Sequence, residues 1–144
     1  MNKRILLADD DESVRKMVGR VLESAGYQVL QAACGREAVA KFRSSRPSLV
    51  LLDLKMPDQE GWQAFDQVSQ LDPLVPVIVI TAWPNQYDEA VQRGIDALME
   101  KPLDLPVLLQ TIDQLLQEPE QQRAQRLTDR SFTTAYLART PTLA

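Results

Sequence analysis

The chain of 144 residues is 44% hydrophobic and 25% charged with a net charge of −4, which fits one globular domain and argues against a nucleic-acid-binding surface. It contains no histidine, which excludes a Ser-His-Asp triad, an imidazole metal ligand and a phosphohistidine within the chain. Its single cysteine, Cys34, excludes an internal disulfide and a cysteine-based zinc site, so any chemistry relies on carboxylates, hydroxyls and lysine.

Two kinds of apolar segment alternate along the chain. Short strand-like runs are predicted at 4–8, 27–32, 48–53, 77–81 and 96–100. Amphipathic helices are predicted at 12–25, 36–45, 62–71, 86–93 and 104–117. This alternation predicts a doubly wound α/β fold, in which helices cover both faces of a parallel sheet of five strands. Ligands of such sheets bind beyond the carboxyl ends of the strands.

Polar side chains follow the predicted strands at those carboxyl ends. Strand one runs into Asp9 and Asp10, strand three ends in Asp53, strand four ends in Thr81, and Lys101 follows strand five. Because the strands are parallel, these groups should meet at one edge of the sheet. Carboxylates held this close repel one another, so the cluster predicts a divalent cation with oxygen ligands, such as Mg²⁺.

Four motifs carry a resemblance to a known family. The segments "ILLADDDESVR", "LVLLDLKMPDQEG", "VIVITAW" and "LMEKPL" occur in this order, and each includes a predicted strand end. Together they resemble the receiver domain of two-component response regulators, over about residues 3–117. The resemblance implies a flavodoxin-like fold with strand order 2-1-3-4-5.

The resemblance also implies how the site handles phosphate. Asp53 would be the phosphoacceptor, a carboxylate that becomes an acyl phosphate. Thr81 and Lys101 would bind phosphoryl oxygens, and a cis peptide bond at Pro102 would aim the ammonium inward. The chain would be a signalling phosphoacceptor rather than an enzyme, although it would assist its own phosphorylation and dephosphorylation.

The implied metal is Mg²⁺ or Mn²⁺. Its ligands would be the carboxylates of Asp10 and Asp53 and the backbone carbonyl of Lys55, while Asp9 would act through a bound water. The side chain of Lys55 either shields the acyl phosphate from water or lies in solvent.

Several neighbouring residues have structural interpretations. Asp11 precedes the first helix and is interpreted as its N-cap. Pro57 and Gly61 shape the loop after Asp53, with glycine supplying backbone freedom and proline restricting it. Leu98 stands where most receivers carry a tyrosine or phenylalanine, so the aromatic-switch account of the family does not transfer to this chain.

The implied partners follow from the same resemblance. The phosphoryl donor would be a histidine kinase or a phosphotransfer protein, and the effector or output domain is unknown. The output face would consist of the helix at 86–93, the strand at 96–100 and the last helix, and this 86–117 face is also the candidate surface for a homodimer. No apolar run approaches the ~18 residues of a membrane span, so we expect a cytoplasmic chain that binds neither membrane nor nucleic acid.

The last part of the chain has a different composition. Residues 1–118 are predicted to form the receiver domain and residues 119–144 a polar C-terminal tail or linker that is partly helical. This tail is a disordered end, a helical extension that docks or dimerises, or the start of a linker. Phe132, Tyr136 and Leu137 favour some docking.

Two other functions fit parts of the sequence. In a haloacid-dehalogenase-type phosphohydrolase that depends on Mg²⁺, Asp9 would be the nucleophile and Asp11 the general acid. This hypothesis leaves "DLKMPDQEG" unexplained. A receiver that is not phosphorylated and acts as a docking module is disfavoured, because the acids, hydroxyl and amine needed for phosphorylation are all present.

Overall fold

The computed structural model describes residues 3–58, 60–128 and 134–137. Strands and helices alternate from β1 to α5, as the sequence predicts. The strands are β1 Arg4–Ala8, β2 Gln28–Ala32, β3 Leu49–Asp53, β4 Val77–Thr81, β5 Ala97–Glu100 and β6 Ala135–Leu137. The helices are α1 Glu12–Ser24, α2 Gly35–Ser45, α3 Gly61–Leu71, α4 Tyr87–Arg93, α5 Leu105–Gln117 and α6 Glu120–Thr128.

The strands form one parallel sheet in the order β2-β1-β3-β4-β5-β6. The predicted order 2-1-3-4-5 is confirmed, and a sixth strand from the tail extends the sheet beyond β5. The order reverses between β1 and β3, which are hydrogen-bonded neighbours. Such a reversal leaves a crevice at the carboxyl edge of the sheet.

Two apolar layers enclose the sheet because alternate strand residues face opposite sides. On one side, strand residues pack against α2 and α3; this layer includes Leu6, Val50, Leu52, Val79, Phe42 and Phe65. On the other side, strand residues pack against α1 and α5; this layer includes Ile5, Leu7, Leu51, Ile78, Val18, Leu22, Leu108 and Ile112. Both faces of β3 and β4 are therefore buried, which explains their nearly continuous apolar sequences.

The helix boundaries follow from local capping. The carboxylate of Asp11 accepts hydrogen bonds from the backbone N–H groups of Ser13 and Val14 at 2.9 and 3.3 Å, so its interpretation as the N-cap of α1 is confirmed. Asp104 caps α5 in the same way. Helix α4 ends at Gly94, whose φ of 71° is a left-handed conformation that glycine adopts without strain.

The described part of the tail packs against the domain as helix α6 and strand β6. Arg123 of α6 is 5% exposed and pairs with the carboxylate of Asp96, just before β5. Tyr136 and Leu137, two of the three residues expected to favour docking, lie in β6 beside β5; Phe132 lies outside the described residues. Within the described ranges, no helix combines the length and apolar character needed to cross a membrane.

Candidate functional site

Three carboxylates converge at the carboxyl edge of the sheet. Asp9 and Asp10 follow β1, and Asp53 is the last residue of the adjacent β3. One oxygen from each carboxylate lies within 4.8 Å of the others. Asp9 and Asp53 are buried at 0% and 2% exposure, whereas Asp10 is exposed. This arrangement provides hard oxygen donors that face the crevice from two strands.

Lys101 supplies the positive charge of the cluster. Its ammonium donates to Asp9 Oδ2 at 2.8 Å and to Asp53 Oδ2 at 3.3 Å. Burial alone would lower the pKa of Lys101, but the hydrogen bond to Asp9 and the charges of Asp53 and Asp9 raise it overall. The lysine therefore stays protonated and offsets part of the repulsion between the two acids.

The carboxyl group of Asp53 is less acidic than usual. Burial and the adjacent Asp9 charge raise its pKa from 3.8 to about 6, although the Lys101 ammonium and the Lys55 backbone N–H oppose this rise. The N–H of Lys55 donates to Asp53 Oδ1 at 3.3 Å. The effects of burial and of the Asp9 charge therefore outweigh the stabilisation that Lys101 and the Lys55 N–H give to the ionised form of Asp53.

Thr81 and Lys101 are connected through the ends of β4 and β5. The buried hydroxyl of Thr81 accepts the backbone N–H of Trp83 at 2.9 Å, and the Thr81 carbonyl accepts the N–H of Lys101 at 2.7 Å. The Lys101–Pro102 peptide bond is cis, as the resemblance implies. The hydroxyl and the ammonium thus belong to adjacent strand ends beside the acid cluster.

Gly61 serves the site for a reason different from the predicted one. Its φ is not left-handed, so backbone freedom does not explain it. A Cβ at this position would lie 2.4 Å from the carbonyl oxygen of Asp53 and 2.7 Å from the Cα of Leu54. Glycine therefore lets the start of α3 pack directly against the backbone that carries Asp53. Lys55 and Pro57 are exposed in the loop between β3 and α3.

Sequence reasoning missed two contacts that shape the site. The carboxylate of Asp58 accepts the N–H groups of Gly35 and Arg36, both at 2.8 Å, and so ties the loop after β3 to the start of α2. Arg15 of α1 donates to the carbonyl of Asp9 at 2.6 Å. Asp58 lies 23 and 22 residues from its partners, and Arg15 binds a backbone oxygen. No sequence motif therefore marks either contact.

The geometry does not favour the phosphohydrolase hypothesis. Asp9, its proposed nucleophile, is fully buried and already accepts hydrogen bonds from Lys101 and from the N–H of Asp11 at 2.9 Å. The carboxylate of Asp11, its proposed general acid, caps helix α1.

The fold and the site together define a class of protein. A doubly wound sheet of this strand order, with an acid cluster, a hydroxyl and a lysine at its carboxyl edge, is a CheY-like fold.

Comparisons with known proteins identify the family. A family model described as the response regulator receiver domain matches residues 5–113. The chemotaxis protein CheY of Thermotoga maritima is 35% identical over 105 residues, which make up 71% of this chain and 88% of that protein. A CheY-like response regulator receiver domain protein from Methanospirillum hungatei superposes with a TM-score of 0.78 at 31% identity, over 87% of this chain and 99% of that chain.

The chain belongs to the response regulator receiver family and is a receiver domain of the two-component type. A longer relative, the transcriptional regulatory protein GlrR of Escherichia coli, is 33% identical over 139 residues, which make up 95% of this chain and 30% of that protein. The chain thus spans about a third of the length of this relative.

Proposed function

We propose that Asp53 is the phosphoacceptor of this receiver and takes its phosphoryl group from the phosphohistidine of a histidine kinase or phosphotransfer protein. The observation that carries this proposal is the position of Asp53: a buried carboxylate at a strand end, within 4.8 Å of two other acids and bonded to Lys101. The donor histidine must lie outside these 144 residues, which contain none.

The proposed transfer is a displacement at phosphorus. A carboxylate oxygen of Asp53 attacks the phosphorus atom as the bond between phosphorus and the donor imidazole nitrogen breaks. The imidazole leaves with the electron pair of that bond and is protonated from solvent. Lys101 and Thr81 bind phosphoryl oxygens, so charge that develops during transfer is offset by groups already in place.

The donor set fits a small divalent cation. Asp10 and Asp53 would be direct ligands together with the Lys55 carbonyl, and Asp9 would act through water; Mg²⁺ accepts such sets because it keeps several waters. When bound, Mg²⁺ or Mn²⁺ supplies positive charge that offsets the repulsion between the carboxylates and the incoming phosphoryl group. Burial and the neighbouring Asp9 charge raise the pKa of Asp53, and a bound cation would favour its ionised form against both effects.

The same residues would assist the loss of the phosphoryl group. A water molecule attacks phosphorus, the bond to the Asp53 oxygen breaks, and the carboxylate is regenerated with inorganic phosphate. Lys101 and Thr81 again hold the phosphoryl oxygens. The protein would thus hydrolyse its own acyl phosphate, which ends the signal, and would not act on an external substrate.

The proposal extends to the organisation of the signal. Residues 1–118 would form the phosphoacceptor unit and residues 119–144 the tail, of which α6 and residues 134–137 pack on that unit. Changes at Asp53 reach an effector or output domain through the face formed by α4, β5 and α5, which is also the candidate homodimer surface. A cytoplasmic location fits this role.

Intact mass spectrometry after incubation with Mg²⁺ and acetyl phosphate tests the proposal. We expect a hydroxylamine-labile phosphoryl adduct in the wild type and in Asp66→Ala, an exposed control carboxylate on α3. Asp53→Ala should carry no adduct. An adduct that persists in Asp53→Ala and disappears in Asp9→Ala would support the phosphohydrolase, and no adduct in any sample would support a docking receiver.

A further inference from the structure

Strand β6 covers the hydrogen-bonding edge of β5. The N–H of Ala135 donates to the carbonyl of Asp96 at 2.9 Å, and the buried hydroxyl of Thr134 donates to the carbonyl of Ile95 at 2.8 Å. Tyr136 is then paired in register with Leu98. The tail therefore occupies a row of backbone groups that β5 would otherwise present to solvent.

Two tyrosine hydrogen bonds, defined here as the fastening points, attach this strand to α4 and to β5. The hydroxyl of Tyr87, the first residue of α4, donates to the carbonyl of Thr134 at 3.0 Å. The hydroxyl of Tyr136 donates to the carboxylate of Glu100, the last residue of β5, at 2.5 Å. The two rings meet edge to face with centroids 5.6 Å apart. Both tyrosines are partly exposed, at 37% for Tyr87 and 47% for Tyr136, so water can reach this contact.

Each fastening point adjoins a residue of the phosphoacceptor site. Glu100 directly precedes Lys101, whose ammonium bonds to Asp9 and Asp53. Tyr87 is joined to Thr81 through the loop 82–86, and the Trp83 N–H in that loop donates to the Thr81 hydroxyl. A movement of Lys101 therefore shifts Glu100, and a movement of Thr81 shifts the loop that leads to Tyr87.

We propose that β6 is a strap that binds the α4–β5 edge in the unphosphorylated protein and is released when Asp53 is phosphorylated. This proposal rests on the function proposed above for Asp53. A phosphoryl group draws the Thr81 hydroxyl and the Lys101 ammonium toward itself, so α4 shifts against the end of β5. Strand β6 bonds to Tyr87 of α4 and to Glu100 of β5 at the same time. If α4 moves relative to β5, β6 cannot keep both hydrogen bonds, so at least one of them breaks.

The coupling between strap and site works in both directions. If phosphorylation weakens the strap, then weakening the strap must favour phosphorylation by the same factor. A strand of three residues held by a few hydrogen bonds is suited to this role, because the loss of one bond changes its occupancy by about two- to tenfold.

Hydrogen–deuterium exchange of the full chain in Mg²⁺, with and without acetyl phosphate, tests release of the strap. We expect residues 97–99 and 134–137 to exchange about two- to tenfold faster once Asp53 is phosphorylated. Residues 4–8 in β1 should keep their rate. The phosphoryl occupancy of each sample is measured by intact mass, so that modification and release are scored separately.

Variants test the reverse direction. Tyr136→Phe keeps the ring but removes the hydrogen bond to Glu100. The matched control is Tyr27→Phe, which removes a phenolic hydroxyl just before β2, at the opposite edge of the sheet from β6. We expect Tyr136→Phe to exchange rapidly at 134–137 before any donor is added and, with Mg²⁺ present, to bind the reversible phosphoryl analogue beryllofluoride about two- to tenfold more tightly than wild type. Tyr27→Phe should behave as wild type.

The possible failures are distinct. If Asp53 carries the phosphoryl group while residues 134–137 exchange at the unphosphorylated rate, the strap is overturned and the proposed function stands. A Tyr136→Phe variant with loosened β6 but an unchanged affinity for beryllofluoride would show a structural contact without coupling, which also overturns the strap. Absence of a phosphoryl adduct from every sample would overturn both proposals.

Discussion

At the residue scale, Asp53 experiences opposing influences on one carboxyl group. Burial and the charge of Asp9 favour its protonated form, whereas Lys101 favours its ionised form, and the balance places its pKa at about 6. Few other side chains titrate near this pH, because the chain has no histidine. The behaviour of the protein just below neutral pH should therefore report mainly on this carboxyl group.

We expect Mg²⁺ to bind more weakly as the pH falls through about 6, because a protonated Asp53 cannot ligate the cation. For a single competing proton, the affinity should fall about tenfold for each pH unit below that value. Calorimetric titration of the wild type with Mg²⁺ at several pH values measures this, and Asp53→Asn is the control whose affinity should lack this dependence. Equal wild-type affinities on both sides of the transition would contradict the prediction.

The same shift predicts an opposite trend for the metal-free protein. The pKa of Asp53 is about 6 in the folded state and 3.8 in the unfolded state, so the folded state binds more protons between these values. The free energy of unfolding should therefore rise as the pH falls from 7 towards 5. Saturating Mg²⁺ should remove this rise, since it keeps Asp53 ionised.

At the element scale, helix α2 holds the loop after β3 in addition to the loop's own bond from the Gly61 N–H to the Leu54 carbonyl at 2.8 Å. Asp58 accepts two backbone N–H groups at the start of α2, and these bonds, with the Cys34 thiol, lower its pKa although burial acts in the other direction. A carboxylate at a helix N-terminus also interacts favourably with the helix dipole. The loop that carries Lys55 is thus also fixed from outside its own segment.

Removing this cap should affect both stability and the site. Asp58→Ala should lower the free energy of unfolding by about 1 kcal/mol, the usual cost of a lost N-cap acceptor. It should also slow phosphorylation of Asp53, because the loop loses its attachment to α2. Denaturant unfolding and the rate with acetyl phosphate measure the two effects. Asp88→Ala, which removes an exposed acid from the first turn of α4, is the control and should change neither substantially.

The elements of the main domain were predictable because each has a local cause. Periodic apolar residues, helix caps and strand-end acids lie close together in sequence, so β1 to α5 and the convergence of Asp9, Asp53 and Lys101 could be inferred. The capping role of Asp58 and the packing reason for Gly61 could not, since each depends on backbone brought close by tertiary folding. Strand β6 also depends on tertiary folding, because a segment of three residues forms a strand only when it pairs with the edge of an existing sheet, here β5.

At the scale of the whole molecule, one buried ion pair joins the tail to the sheet. The guanidinium of Arg123 donates to both carboxylate oxygens of Asp96, at 2.5 and 2.9 Å, and to the carbonyls of Leu74 and Val75. Asp96 also accepts the N–H of Val77 at 2.9 Å. These contacts lie at the amino ends of β4 and β5, at the opposite edge of the sheet from Asp9, Asp10 and Asp53.

Breaking this pair should be costly because Asp96 stays buried and, among the described residues, keeps only the longer contact with Arg126, at 3.4 Å, as an ion pair. Arg123→Met should lower the free energy of unfolding by about 3 kcal/mol, the lower end of the cost of breaking a buried pair, since Asp96 is 6% exposed but still contacts Arg126. Arg43→Met, at an exposed position of α2, is the matched control and should cost little. Denaturant unfolding measures both variants.

A double variant and a truncation separate the ion pair from the rest of the tail. Asp96→Asn combined with Arg123→Met removes both charges, so it should be more stable than Arg123→Met alone. A chain that ends at residue 118 loses Arg123 while Asp96 remains, and it should be destabilised at least as much as Arg123→Met. If the truncated chain were instead as stable as the full chain, Asp96 would be hydrated there without penalty, and α6 would be an addition to a receiver that is stable by itself. Loss of stability on truncation would mean that the folding unit extends beyond residue 118, although the residues proposed for phosphoryl transfer all precede it.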